Sequence, residues 1–157
     1  MRVKANGART TLRDLYQAGS SKCLFPRNAR KHMDAVLLNT AGGVTGGDRF
    51  SFSAHAEEQT ELTLTTQACE RAYKAQGSEI GEVSNKLSIA ENARINWLPQ
   101  ETILFNHSAL SRSLRVDLAP DASFLMLEPL VFGRTAMGEA LNHAQFRDRI
   151  EIYRENT

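Results

Sequence analysis

A repeated pattern of paired short strands constrains the fold of this 157-residue chain more than any other feature of its sequence. Three segments, residues 51–67, 86–100 and 115–130, each consist of an alternating strand, a polar turn preceded by alanine, and an apolar strand. Each segment is interpreted as a hairpin, and no helical pattern separates one segment from the next. The pattern predicts a mainly β protein of stacked antiparallel sheets, solenoid-like or sandwich-like, with at most one or two short helices.

The three segments also align residue by residue. When they are matched at Thr60, Ala93 and Ala122, the steps between them are 33 and 29 residues. Apolar side chains recur two and four positions further on, as Leu62, Ile95 and Phe124, and then as Leu64, Trp97 and Met126. This agreement indicates that the strands of successive segments occupy equivalent places in the fold.

A glycine-rich stretch precedes the first segment. Residues 39–49 contain Gly42, Gly43, Gly46 and Gly47, between an apolar run at 35–38 and an alternating run at 50–54, so a strand-loop-strand unit is expected. The loop lacks the GxxxxGK and GxGxxG patterns of phosphate-binding loops. Asp48 is the one residue of this loop that could take part in chemistry. Considered alone, it is more simply interpreted as a turn cap.

Composition limits the classes of function. Nineteen basic and eighteen acidic residues give a net charge of +1, which favours neither nucleic acid nor a membrane surface as a partner. The length suits a single domain. Without a long apolar run or a signal-peptide pattern, the cytoplasm is the expected location.

The residues that most often bind metals are scattered. His32, His55, His107 and His143 have no ligand spacing, so a tightly bound metal is not expected. Cys23 and Cys69 stand far apart and are interpreted as reduced thiols.

The two ends of the chain carry weaker signals. Residues 1–10 are polar and expected to be frayed, and two short strands are expected on either side of a turn at 19–21. A short helix is expected within 136–146 and a strand over 149–153. Since that last strand would leave a bare sheet edge, the chain is expected to be part of a longer protein.

Polar groups end the second strand of each segment, at residues 65–67, 99–102 and 127–129. If the segments stack, these groups gather at one end of the sheet, near the glycine loop. Such a cluster of oxygens suits the passage of a hard or borderline cation. Hydrogen bonding of the sheet ends is the simpler alternative.

Four motifs in order resemble the urease accessory protein D family, also called H. They are residues 39–48 (NTAGGVTGGD), 64–73 (LTTQACERAY), 97–105 (WLPQETILF) and 128–139 (EPLVFGRTAMGE). The resemblance implies a solenoid-like β fold and a non-enzymatic urease maturation factor. It also implies a complex with accessory protein F and the GTPase accessory protein G, docking on the urease apoprotein, and passage of nickel through an internal polar channel.

The resemblance carries channel candidates onto particular positions: Asp48, Thr66, Gln67, Glu128 and Glu139. It implies nickel in transit and no tightly bound cofactor. It also implies that members of the family extend beyond residue 157. Two alternatives stay open: an enzyme using Glu101, Glu128 or Glu139 with a histidine as acid and base, and a β module that only binds protein.

Overall fold

The structure is a computed structural model that describes residues 1–27 and 29–154. Fourteen strands form in these residues: β1 (Arg2–Asn6), β2 (Arg9–Asp14), β3 (Ser21–Leu24), β4 (Met33–Asn39), β5 (Arg49–Ala56), β6 (Glu61–Thr66), β7 (Glu70–Ala72), β8 (Gly81–Ile89), β9 (Arg94–Trp97), β10 (Thr102–Leu104), β11 (Ala109–Leu118), β12 (Ser123–Met126), β13 (Leu130–Phe132) and β14 (Gln145–Arg154). The described chain is therefore nearly all β, as the repeated pattern predicts.

The strands make three sheets that the chain visits in turn. A six-stranded sheet has the order β14-β11-β8-β5-β1-β2, a five-stranded sheet the order β12-β9-β6-β4-β3, and a three-stranded sheet the order β13-β10-β7. Three successive coils, β5 to β7, β8 to β10 and β11 to β13, each contribute one strand to every sheet. The arrangement is solenoid-like, which confirms the predicted fold class.

The predicted alignment of the segments is confirmed by the strand register. Leu62 pairs with Ile95 and Leu64 with Trp97 across β6 and β9. Across β9 and β12, Ile95 and Trp97 pair in turn with Phe124 and Met126. Each predicted column of apolar side chains is thus a real column in the five-stranded sheet.

The predicted antiparallel pairing is wrong, because the strands of successive coils pair in parallel. Among the described strands only β1 with β2 and β3 with β4 are antiparallel. The polar turn of each segment does not close a hairpin. It carries the chain from the six-stranded sheet to the five-stranded one, so the two strands it joins face each other across the core and do not hydrogen-bond to each other.

Two apolar clusters fill the interior. The larger one lies between the six-stranded and five-stranded sheets and includes Leu64, Leu87, Trp97 and Val116, each no more than 3% exposed. Burial of this apolar surface is the main stabilising contribution to such a stack. The smaller cluster, Val44, Ala72, Leu104 and Leu110, packs where the glycine loop meets the three-stranded sheet.

The N-terminal prediction was partly wrong. Residues 2–6 form β1, which pairs with β2 and β5, and Val3 is fully buried, so this segment is not frayed. Val3 supplies the apolar contact that the polar composition of residues 1–10 conceals. The two short strands predicted before the glycine loop are present as β2 and β3.

The C-terminal helix is reduced to one short turn. A 3-10 helix spans Thr135–Met137, and Gly138 follows with a φ of 71°, a conformation outside the α-helical region. The strand predicted at 149–153 lies within β14. Within the described residues, no helix is long and apolar enough to cross a membrane.

Candidate functional site

The glycine loop connects β4 to β5, as predicted, and packs tightly on β7 and on Tyr73, which follows it. The amide of Val44 donates to the carbonyl oxygen of Arg71 at 2.7 Å. A Cβ atom on Gly43 would overlap the ring of Tyr73 and lie 2.7 Å from the Arg71 carbonyl oxygen. Glycine is therefore required here by close packing.

Asp48 acts inside this loop as a turn cap. Its Oδ2 accepts a hydrogen bond of 2.9 Å from the backbone amide of Thr45. The preceding Gly47 has a φ of 84°, which permits the tight turn. Asp48 does not line the cavity described next, so the structure separates it from the candidates Thr66, Gln67 and Glu128.

A partly open cavity of about 480 Å³ lies beside the larger apolar cluster. Three of the five channel candidates, Thr66, Gln67 and Glu128, line it together with Gly42. Gln100 and Thr102, from the second segment, line it as well. The strand-end polar groups therefore gather near the glycine loop, as their equivalent positions in the segments predicted.

Glu128 is the most enclosed carboxylate on this cavity, with a side chain that is 4% exposed. Trp97 Nε1 donates a hydrogen bond of 2.5 Å to its Oε1. The Trp97 ring in turn stacks on Phe52, with ring centroids 6.0 Å apart. The indole thus fixes the carboxylate in one orientation.

The other oxygen of Glu128 faces a guanidinium group. Oε2 lies 3.1 Å from Arg112 Nη2. None of the described residues donates an aligned hydrogen bond to this oxygen, although it is fully buried. The contact is therefore one of opposite charges at short range, outside good hydrogen-bond geometry.

Arg112 is held mainly by Asp148. Its Nε and Nη2 donate to the two carboxylate oxygens of Asp148, at 3.1 Å and 2.5 Å. Nη1 donates to Thr102 Oγ1 at 3.3 Å. Arg112 and Asp148 are paired residues of the adjacent parallel strands β11 and β14, so the strand register brings them together.

Sequence reasoning missed Arg112, although a signal was present. In residues 110–114 (LSRSL), the arginine occupies the same alternating face as Leu110 and Leu114, which are both buried. An arginine on the apolar face of a strand needs a buried partner. Asp148, the partner, could not be found without the register between β11 and β14.

Glu70 is a second carboxylate on the cavity that sequence reasoning did not single out. Burial raises its pKa, while hydrogen bonds from the Asn39 side chain and the Arg71 amide oppose the rise. Asn39 ends β4 and Glu70 begins β7, so this contact connects the glycine loop to the cavity wall. No spacing rule in the sequence links these two residues.

Glu139 lies elsewhere, on a shallow surface site with Tyr73, Lys74 and His107. Its carboxylate accepts two hydrogen bonds from Arg134, at 2.8 Å and 3.0 Å, which lower its pKa. The Arg134 guanidinium lies over the ring of Phe105, 4.1 Å from the centroid. Glu139 therefore belongs to a surface ion pair and not to the cavity.

Charge on the cavity wall is mixed. Glu70 and Glu128 provide carboxylates, whereas Lys22, Arg71 and Arg112 provide positive charge. A cation entering such a space meets oxygen ligands whose charge is already balanced. The arrangement suits weak and reversible contact with a cation better than tight retention.

Soft ligands contribute little to this space. Cys23 and Cys69 line the cavity and are free thiols, as predicted. Burial raises the pKa of Cys23 to about 11, so its thiol stays protonated at neutral pH.

The rings of His107 and His143 lie 5.6 Å apart on the surface, a contact that the spacing of the histidines in the sequence did not reveal. No group of three or more His, Cys, Asp or Glu residues in the described part of the chain could hold a metal ion.

Comparison with known proteins agrees with the motifs. A family model described as UreD urease accessory protein matches residues 1–157. Three proteins named Urease accessory protein UreD are among the similar sequences. That of Ruegeria pomeroyi is 63% identical over 152 residues, which are 97% of this chain and 59% of the relative. That of Sinorhizobium medicae is 54% identical over 150 residues, 96% of this chain and 54% of the relative. That of Rhizobium leguminosarum bv. viciae is 47% identical over 152 residues, 97% of this chain and 55% of the relative.

The chain spans about half the length of these relatives. The family match nevertheless covers every residue from 1 to 157. The chain belongs to the UreD family of urease accessory proteins.

Proposed function

We propose that this chain is a urease maturation factor without turnover of its own. It docks on the urease apoprotein and helps deliver nickel to the urease active site, together with accessory protein F and the GTPase accessory protein G. Family membership supports the role in maturation. The proposal places the protein in the cytoplasm, where nickel is in transit and no cofactor is held.

The cavity is the observation that supports nickel passage. Thr66, Gln67 and Glu128 all line it, and so does Glu70. Hydroxyl, amide and carboxylate oxygens are weak ligands for nickel compared with imidazole or thiolate. Stations of this kind release the ion, which a delivery path requires. Asp48 and Glu139 stay candidates only for a path outside this cavity.

The proposed complex is tested by co-purification with accessory proteins F and G and the urease apoprotein. The chain and a version extended to the length of its relatives are compared. Assembly of both versions would place the partner surface within residues 1–157, and assembly of the longer version alone would assign that surface to the extension. Failure of both would contradict the proposal.

Nickel delivery is tested separately from assembly. Glu128→Gln is expected to leave the complex intact and to lower the nickel content of urease in cells that depend on the extended protein. Asp48→Asn serves as the comparison, because Asp48 lies outside the cavity. If complex and nickel content are both unchanged in Glu128→Gln, the protein-binding module without a nickel path becomes the better interpretation.

The surroundings of Glu101, Glu128 and Glu139, the three acids of the enzyme alternative, do not favour it. Glu128 is paired with Arg112, and Arg134 lowers the pKa of Glu139, whereas a general acid needs a raised one. Glu101 does not line the cavity; its carbonyl oxygen accepts a hydrogen bond from the Glu70 amide. The carboxylates of Glu128 and Glu139 each pair with an arginine.

A further inference from the structure

The most unusual group on the cavity wall is the Arg112 guanidinium, which is placed between two carboxylates. Nη2 lies 2.5 Å from Asp148 Oδ2 and 3.1 Å from Glu128 Oε2. Asp148 lies on β14, next to Arg112 in the six-stranded sheet, whereas Glu128 lies in the connection between β12 and β13. A single nitrogen thus contacts both carboxylates, as a bridging metal cation would.

The two contacts are not equivalent. Asp148 binds the guanidinium through both of its oxygens, in the parallel geometry that makes such pairs strong. Glu128 contributes only proximity, and its Oε2 is a buried oxygen without an aligned donor among the described residues. Arg112 is therefore anchored by Asp148, and Glu128 is the acid whose charge it neutralises.

We propose that Arg112 is a built-in positive charge that keeps Glu128 and Asp148 from trapping a divalent cation. This inference rests on the proposed nickel passage and names the residue that sets how weakly the cavity holds the ion. With the guanidinium present, a cation meets a balanced carboxylate and a like charge close by. Without it, two carboxylates that both reach the position of Nη2 are free to share a cation.

Local packing and hydrogen bonds hold the Glu128 and Arg112 side chains in place. Trp97 anchors Glu128 Oε1, and the stack of Trp97 on Phe52 anchors the indole. Thr102 Oγ1 accepts a further hydrogen bond from Arg112 Nη1. Arg112 has a relative exposure of 7%, so solvent screens its charge weakly at this position.

The test is a titration of the purified 157-residue chain with nickel sulfate, in wild type and in Arg112→Gln. The variant is expected to hold nickel at least about tenfold more tightly than wild type. Arg112→Lys, which keeps the charge, is expected to bind as weakly as wild type. Arg115→Gln is the matched control, since Arg115 pairs with Asp117 on the exposed face of the same strand.

Second substitutions assign the gain to the two acids. Arg112→Gln combined with Glu128→Gln, or with Asp148→Asn, is expected to return to the weak binding of wild type. Thermal unfolding followed by circular dichroism shows which variants fold. If Arg112→Gln fails to fold, the nickel affinities of Arg112→Lys and Glu128→Gln are compared with that of wild type instead. The proposal then requires that neither binds nickel more tightly than wild type, and tighter binding by either overturns it.

Two outcomes with the folded Arg112→Gln variant overturn the inference. One is unchanged nickel affinity, and the other is a gain that persists when either Glu128 or Asp148 is replaced as well. Neither outcome bears on assembly with the accessory proteins, which is measured by co-purification. The proposed maturation role and this inference therefore fail in distinguishable ways.

Discussion

The interior of the solenoid contrasts an apolar level with a polar level built by the same strands. Inward residues of β5, β8 and β11 form the column Ala54, Leu87 and Val116, which is dry and at most 3% exposed. Four residues earlier on the same strands, the column is Phe50, Val83 and Arg112, and it borders the cavity.

The comparison shows that parallel, in-register stacking does not decide what fills the interior. Both columns have the same backbone pairing and differ only in side chains. In the apolar column, volume and transfer from water determine stability. In the column that contains Arg112, stability depends on charge balance. Burying this guanidinium costs free energy unless carboxylates such as Asp148 and Glu128 lie beside it.

The largest expected effect comes from a cavity in the apolar column. Leu87→Ala removes a fully buried side chain and is expected to lower the free energy of unfolding by about 2–5 kcal/mol. Urea denaturation followed by circular dichroism measures this change. Leu125→Ala is the control, since Leu125 is 48% exposed and its loss should cost less than about 0.5 kcal/mol. Equal costs for both variants would contradict the assignment of the dry column.

Cys23 tests the boundary between the two regions. It belongs to the apolar cluster and also lines the cavity, and burial raises its pKa from 9.0 to about 11. At pH 8.5, iodoacetamide is expected to alkylate Cys23 at least about tenfold more slowly in the folded chain than in urea. Peptide mass spectrometry gives the rate, with Cys23→Ser confirming the assignment of the peptide. Equal rates in both states would place Cys23 in water.

The raised pKa of Cys23 also has a consequence for stability. The folded state retains the thiol proton more strongly than the unfolded state. The stabilising contribution is complete below pH 9.0 and is lost as the pH rises toward 11. Cys23→Ser should therefore flatten the decline in stability over this range.

Gly43→Ala tests the loop that closes the polar region. Overlap of the new methyl group with the Tyr73 ring is expected to destabilise the fold by about 1–3 kcal/mol. In a Tyr73→Ala background the same substitution should cost less, because the overlapping ring is gone. Urea denaturation of the four proteins of this cycle provides the measurement. An equal cost in both backgrounds would show that Tyr73 is not the obstacle.

The smallest expected effect is that of Glu70→Gln. Burial raises the pKa of Glu70 above its usual 4.5, so the folded protein is penalised for the ionised form once the pH exceeds that value. The amide removes this penalty and still accepts from Arg71 and Asn39. Glu70→Gln is expected to be more stable than wild type at pH 7 by less than about 1 kcal/mol, with the difference shrinking toward pH 4.

Urea denaturation at both pH values checks this expectation. Glu61→Gln is a matched control, because Glu61 is an exposed acid with no place on the cavity wall. A gain of the same size at pH 4 and pH 7 would exclude ionisation of Glu70 as the cause.

Several residues of the cavity wall could be predicted from the sequence, whereas the parallel pairing of the strands could not. Thr66 and Glu128 occupy equivalent places in aligned segments, so stacking alone brings them to one cavity. Alternating strands joined by short polar turns look the same whether the turn closes a hairpin or crosses between sheets. Local pattern therefore determines the strands, and long-range packing determines their partners.

The two candidates that lie outside the cavity show the same limit. Asp48 and Glu139 were carried over from motifs, yet each forms contacts within its own loop. Loop geometry decides where such side chains point, and no periodicity reports it. Asp148 was missed for the opposite reason, since its partner lies 36 residues away and the link exists only through the register of β14 on β11.

In-register stacking gives the interior a modular character. Each coil contributes one inward side chain per strand at each level, and neighbouring levels lie two residues, or about 6.6 Å, apart along the strand. One substitution therefore alters a single level and leaves the neighbouring levels in place. Through such point changes, selection or an engineer is able to alter the charge of the cavity wall while the neighbouring apolar levels continue to hold the protein together.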